Sequence, residues 1–234
     1  MKSRPFVIMG IVFGLPALVY LFFNTQSFLT SNQFNPLQSP EWLMYLIFLL
    51  GGITLYINVN SDIQEYRFNN RKIFQLILSP VSPRKIIFYL VFAVVIESFI
   101  LCGLSGAILY FITGIEISIK FVIYGVPALL IYLLLLGTLF TTLSLITEDH
   151  FIYHFLSICI LLICITSPGM GIFNLHTSGT SDLWQFIPTT MILNFVLFIL
   201  LADVKKWSLV FIPGLVLLIL LILNGELLSR KIRR

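Results

Sequence analysis

Apolar residues fall along this chain in long blocks separated by short polar breaks. The block length matches a bilayer: a helix crossing the hydrocarbon layer needs about 20 predominantly apolar residues. Blocks of about this length occupy residues 5–23, 42–59, 86–112, 121–146, 151–173 and 207–223. A further block, 187–201, has only 15 residues and is flanked by Pro188 and by Asp203-Val204-Lys205-Lys206. The pattern predicts an all-α membrane protein, a single transmembrane domain over residues 1–234. The short block is either one more span or a re-entrant segment.

The one substantial polar stretch reads SDIQEYRFNNRKIFQLILSPVSPRKIIFYL, residues 61–90. Ser61 is suited to cap a helix, with Asp62 in its first turn where the dipole favours an anion. Ile63, Tyr66, Ile73, Phe74 and Ile77 recur at roughly helical spacing, while Gln64, Arg67, Arg71 and Lys72 lie mainly away from them. This predicts an amphipathic helix over 61–79 lying in the interface plane, apolar face toward lipid or the spans. Pro80 and Pro83 bracket its stop, and Arg84 and Lys85 open the next apolar block. Such a segment is either an ordinary positive loop or a docking platform for a soluble partner. The turn Thr147-Glu148-Asp149-His150 is a second cytosolic contact, its acidic pair suited to cap the helix that follows.

Composition narrows the class. With 59% hydrophobic and 10% charged residues and a mean hydropathy of +1.03, a soluble core cannot absorb the apolar surface, and the bilayer must be the solvent. Little remains for a soluble enzyme domain. The net charge of +4 does not point to nucleic acid, because the cations sit beside spans, where they set orientation. Cys102, Cys159 and Cys164 all fall in apolar blocks, as small core residues do. Lys2 and Arg4 before an apolar run resemble a signal peptide, but Asn24-Thr25-Gln26 offers no small-residue cleavage site, so the run is read as a retained span.

Loop charge chooses the topology. If 187–201 is re-entrant, six spans leave both termini in the cytosol, together with Lys2, Arg4, Arg67, Arg71, Lys72, Arg84, Lys85, Arg230, Lys231, Arg233 and Arg234. Only Lys120, Lys205 and Lys206 then lie outside, a split of 11 to 3, against 9 to 5 if the segment spans. Six spans are therefore expected, with Trp42, Trp184 and Trp207 at the outer interface.

A few residues stand out within the blocks. Glu97 lies deep in the third span, where an ionisable group is costly and faces the bundle interior or water. It is a candidate substrate-pathway contact or an internal tie between helices. Gly10 and Gly14 form a GxxxG, which permits close helix approach at a subunit interface or within the bundle. Pro16, Pro127 and Pro213 each lie within a span. His150 and His154 stand at i, i+4, a spacing that can hold a metal, but two ligands make a poor site and no HExxH occurs, so no metal is expected. No phosphate-binding Gly-x-x-x-x-Gly-Lys-Ser/Thr is present, and no nucleophile–His–acid set. An enzyme is not expected, and no cofactor is expected on this chain.

Glu65, then Leu76-Ile77-Leu78-Ser79-Pro80-Val81-Ser82, then Arg84-Lys85 resemble the first cytosolic loop of ABC-2 type transporter permeases, the membrane subunits of ATP-binding cassette exporters. Six spans, a re-entrant element before the last span, a basic tail and Phe186-Ile187-Pro188-Thr189-Thr190 also resemble that family. The chain departs from the pattern at Asn69-Asn70, where the family carries glycine, and in having only four residues before its first block. The resemblance implies a permease that dimerises with itself or a paralogue and binds ABC ATPase subunits that carry the ATP and Mg²⁺. It implies export of an amphiphile (drug, peptide or lipid-linked molecule) across a bacterial cytoplasmic membrane. Asp62, Glu65, Arg67, Arg71, Lys72, Pro80, Ser82, Arg84, Glu148 and Asp149 become the candidate ATPase-coupling residues. Two readings from other classes are a non-transporting scaffold or sensor subunit, and an intramembrane enzyme using Glu97 or the two histidines.

Overall fold

The computed structural model describes residues 10, 14, 16–18, 40–68, 82–114, 119–147, 149–174, 187–202 and 207–233. Six helices account for nearly all of them: α1 (Pro40–Phe68), α2 (Pro83–Thr113), α3 (Val126–Ile146), α4 (His150–Asn174), α5 (Pro188–Ala202) and α6 (Ser208–Arg233). No strand occurs among the described residues. Four helical stretches there are long and apolar enough to cross a membrane: Leu43–Asn60, Lys85–Ile112, Phe121–Ile146 and Ser208–Arg230.

Helix α3 is the hub. It touches each of the other five helices, and these neighbour one another in the closed order α2, α1, α4, α5, α6 and back to α2. Its apolar window is 61% buried, against 17% for that of α6 on the ring. The core joins Leu50, Leu55, Val95, Leu133, Leu136, Ile192 and Val196. Hydroxyls inside α3 are satisfied locally. Thr138, Thr141, Thr142 and Ser144 each donate to a carbonyl three or four residues back, at 2.7–2.8 Å, the usual way to place a hydroxyl where no water reaches.

Pairs of contacts give the helix directions. Asn58 meets Ser98 while Ile47 meets Cys102, so α1 and α2 are antiparallel. Phe48 packs on Tyr132 and Tyr56 on Phe140, so α1 and α3 run parallel. Tyr56 meets His154, and a Cβ on Gly52 would meet Leu161, so α4 runs against α1. The close packing rests on glycines. A Cβ on Gly51 would meet Leu133 at 3.2 Å, one on Gly52 Tyr132 at 3.1 Å, and one on Gly137 Val95 at 3.1 Å.

One expectation is corrected. Ser61 does not cap a new helix: α1 runs without a break from Pro40 to Phe68. Restarting there would create fresh unsatisfied N–H groups and a second costly nucleus, whereas Asn60, Ser61 and Asp62 cost only a few tenths of a kcal/mol each in a helix interior. Pro127 lies within the membrane-length stretch Phe121–Ile146, as its block predicts. It stands at the start of α3, directly after a π-helical turn at Phe121–Gly125. Proline offers no N–H to the carbonyl four residues back and its ring crowds that carbonyl, and the wider π turn makes room.

Candidate coupling surface

The helix directions bring three chain segments to one end of the bundle. These are the C-terminal end of α1, the start of α2, and the α3–α4 turn. The candidate residues that fall on described segments therefore share that end. Asp62, Glu65 and Arg67 have their backbone in the last two turns of α1, and Arg84 in the first turn of α2. Arg71, Lys72, Pro80 and Glu148 lie outside the described residues.

Ser82 is exposed and extended (φ −62°, ψ 144°), with Pro83 in the first turn of α2. It makes no side-chain cap. Its carbonyl instead accepts from the N–H groups of Lys85 at 3.0 Å and Ile86 at 3.1 Å. Proline suits this place because its missing N–H is one the helix start leaves unbonded. At the other turn, Asp149 does cap: Oδ1 accepts from the N–H of Phe151 at 2.7 Å and of Ile152 at 3.4 Å. Its charge also meets the positive end of α4.

Beside that cap stands a chain of polar side chains of which the residue pattern connected only the two histidines. Tyr56 Oη lies 3.1 Å from His154 Nδ1, and His154 Nε2 lies 3.1 Å from His150 Nε2. Tyr153 packs on the His154 ring at 5.4 Å between centroids. The signal available in sequence was a tyrosine and two histidines interrupting apolar blocks. Only the antiparallel pairing of α1 and α4 puts the three in contact.

Glu97 lies at the middle of α2, part-exposed, with no hydrogen bond or ion pair to another described residue. It stands between the inward row Val94, Ser98, Leu101 and the outward row Ala93, Ile100, Leu104. Gly10 is exposed and Gly14 half-buried, and no described atom comes within 4 Å of a Cβ built on either. Their close approach is therefore not spent on a described helix of this chain. Cys102 is buried and donates its thiol proton to the carbonyl of Ile47 at 3.1 Å. An apolar pocket of about 410 Å³ opens between α1, α2 and the π turn, with Phe48, Phe99, Gly103, Gly106, Tyr110 and Phe121 among its walls.

Comparison with known proteins yields no family model, curated protein or solved structure that matches the chain.

Proposed function

We propose that the chain is the membrane subunit of an ABC-2-like exporter, driven by a separate ATPase that docks on the end of the bundle formed by the α1 terminus, the α2 start and the α3–α4 turn. One observation carries this reading. The charged segment 61–68 is not a loose loop but the unbroken continuation of a helix whose membrane window, Leu43–Asn60, is 67% buried. A force applied to residues 62–67 is transmitted along α1 into the core that α1 shares with α2 and α3. A chain with no phosphate-binding loop needs such an input from outside.

In this reading the bundle has six spans with both termini in the cytosol of a bacterium, and α5 is re-entrant from the outer side. At 15 residues α5 is about 22 Å long, short of the roughly 30 Å hydrocarbon layer. It packs against the Phe121–Gly125 turn at the far end of the bundle from the coupling surface. Trp207, whose carbonyl accepts the first hydrogen bonds of α6, packs on Phe195 midway along α5. The cargo is an amphiphile, in keeping with the apolar pocket at the same far end. Gly10 and Gly14 are left for a second permease copy or a paralogue.

The test is co-purification with the ATPase. Replacing Arg71 and Lys72 with Glu reverses the charge of the docking segment and reduces recovery of the ATPase several-fold at unchanged permease yield. Undiminished recovery would overturn the reading.

A further inference from the structure

We infer that His150 and His154 form a chelate for a borderline divalent transition-metal cation of the Cu²⁺, Ni²⁺ or Zn²⁺ kind. This does not rest on the exporter reading. Two imidazole nitrogens 3.1 Å apart, each about 2.05 Å from a common cation, subtend about 98° at it, between the octahedral and tetrahedral angles. The two rings stand at 82° to each other with centroids 4.3 Å apart, and it is their Nε2 atoms that approach each other. The site is open to solvent: His150 is exposed, and the Nε2–Nε2 contact lies at the surface in the first turn of α4.

A second, independent feature favours ligation. Ligating histidines are held through their other ring nitrogen, which fixes the tautomer and the ring plane. Tyr56 Oη stands 3.1 Å from His154 Nδ1. When Nδ1–H donates to that oxygen, the His154 Nε2 lone pair is directed at His150. Without metal, the His150 Nε2–H occupies that lone pair. On binding, the His150 proton passes to its Nδ1 through water, and both Nε2 lone pairs meet the cation.

No group of three or more His, Cys, Asp or Glu occurs among the described residues. The described residues supply two ligands, and water can fill the other positions. The cation is therefore exchangeable, and bound it clamps the first turn of α4 one bond away from α1. Imidazole pairs select Cu²⁺ over Ni²⁺ and Zn²⁺, and leave Mg²⁺ and Ca²⁺ to oxygen ligands.

The experiment uses the full chain in detergent, without a polyhistidine tag, titrated with each chloride salt. Cu²⁺ binds one per chain, tightest of the series, and its electron paramagnetic resonance shows two equatorial imidazole nitrogens. Mg²⁺ gives no response. His150→Ala and His154→Ala each weaken binding at least tenfold, and Tyr56→Phe weakens it several-fold. Equal binding by the double histidine variant, or a wild-type Cu²⁺ spectrum showing fewer than two nitrogens, overturns the inference; the spectrum requires no variant to fold.

Discussion

Within the bundle, single atoms decide how closely helices approach. Gly137 sits inside α3 with Val95 Cγ2 at 3.1 Å and Val91 Cγ1 at 3.5 Å from where a Cβ would stand. Gly137→Val forces branched carbons into that gap, and overpacking of this kind costs about 1–3 kcal/mol. Gly103→Val on the outward face of α2, where a Cβ would meet nothing within 4 Å, should change stability by less than about 0.5 kcal/mol. Denaturant unfolding in micelles measures both, and equal losses would show that the α2–α3 contact is not tight. The Tyr56–His154 contact is a different kind of tie. Interhelical hydrogen bonds in membrane proteins contribute about 0.6 kcal/mol on average, so Tyr56→Phe should cost about that much in the same assay. A loss as large as that of Gly137→Val would mean that the ring packing, not the hydroxyl, had been disturbed.

The elements follow the apolar blocks closely where block ends coincide with backbone breaks. The block at 86–112 became α2 at Pro83–Thr113, opened by Pro83 and closed by Gly114 in the left-handed region (φ 66°), whose N–H bonds the Tyr110 carbonyl. The block at 187–201 became α5 at Pro188–Ala202. Asp149 was legible as a cap because an acid before an apolar run has one obvious bonding role. What was not legible is where a helix outlasts its hydrophobicity. Helix α1 continues to Phe68 and α6 to Arg233, well past the apolar ends at 59 and 223. Hydropathy marks the edge of lipid, whereas the helix stops only at a backbone break, and Ser61 and Asp62 carry none. The link from Tyr56 to the histidine pair was hidden for another reason, since it needs the register of α1 against α4. The continuity of α1 yields a prediction. Two glycines inserted between Asn60 and Ser61 cost about 1 kcal/mol of helix propensity each and create a joint just outside the buried window. On the exporter reading, the ATPase should still co-purify, while stimulation of its turnover by substrate falls at least tenfold. Stimulation that survives the joint would mean that α1 does not carry the force.

The molecule as a whole presents lipid with what a soluble protein hides. Phe211, Leu215, Leu218 and Ile222 on α6, Phe151, Phe155 and Leu162 on α4, and Phe88, Phe92 and Phe111 on α2 are all exposed. Contiguous apolar surface on this scale is far beyond what water tolerates around a monomer, so α2, α4 and α6 face hydrocarbon, while α1 and α3 face mainly protein. Helix α2 then fixes the frame of the bundle. Its 31 residues extend about 46 Å, more than the hydrocarbon thickness and long enough for its two ends to emerge on opposite sides. Ser82, just before it, and Lys120, beyond Gly114, are both exposed and serve as reporters. In a background with Cys102 changed to Ser, which keeps a donor for the Ile47 carbonyl, and Cys159 and Cys164 changed to Ala, each reporter is replaced by cysteine in turn. An impermeant maleimide applied to whole cells should label Lys120→Cys and spare Ser82→Cys, and inverted vesicles should reverse the pattern. Labelling of both from one side would mean that α2 does not cross. A reversed pattern would keep the bundle but turn the α1 terminus and the α4 cap away from the cytosol, where no ATPase could reach them.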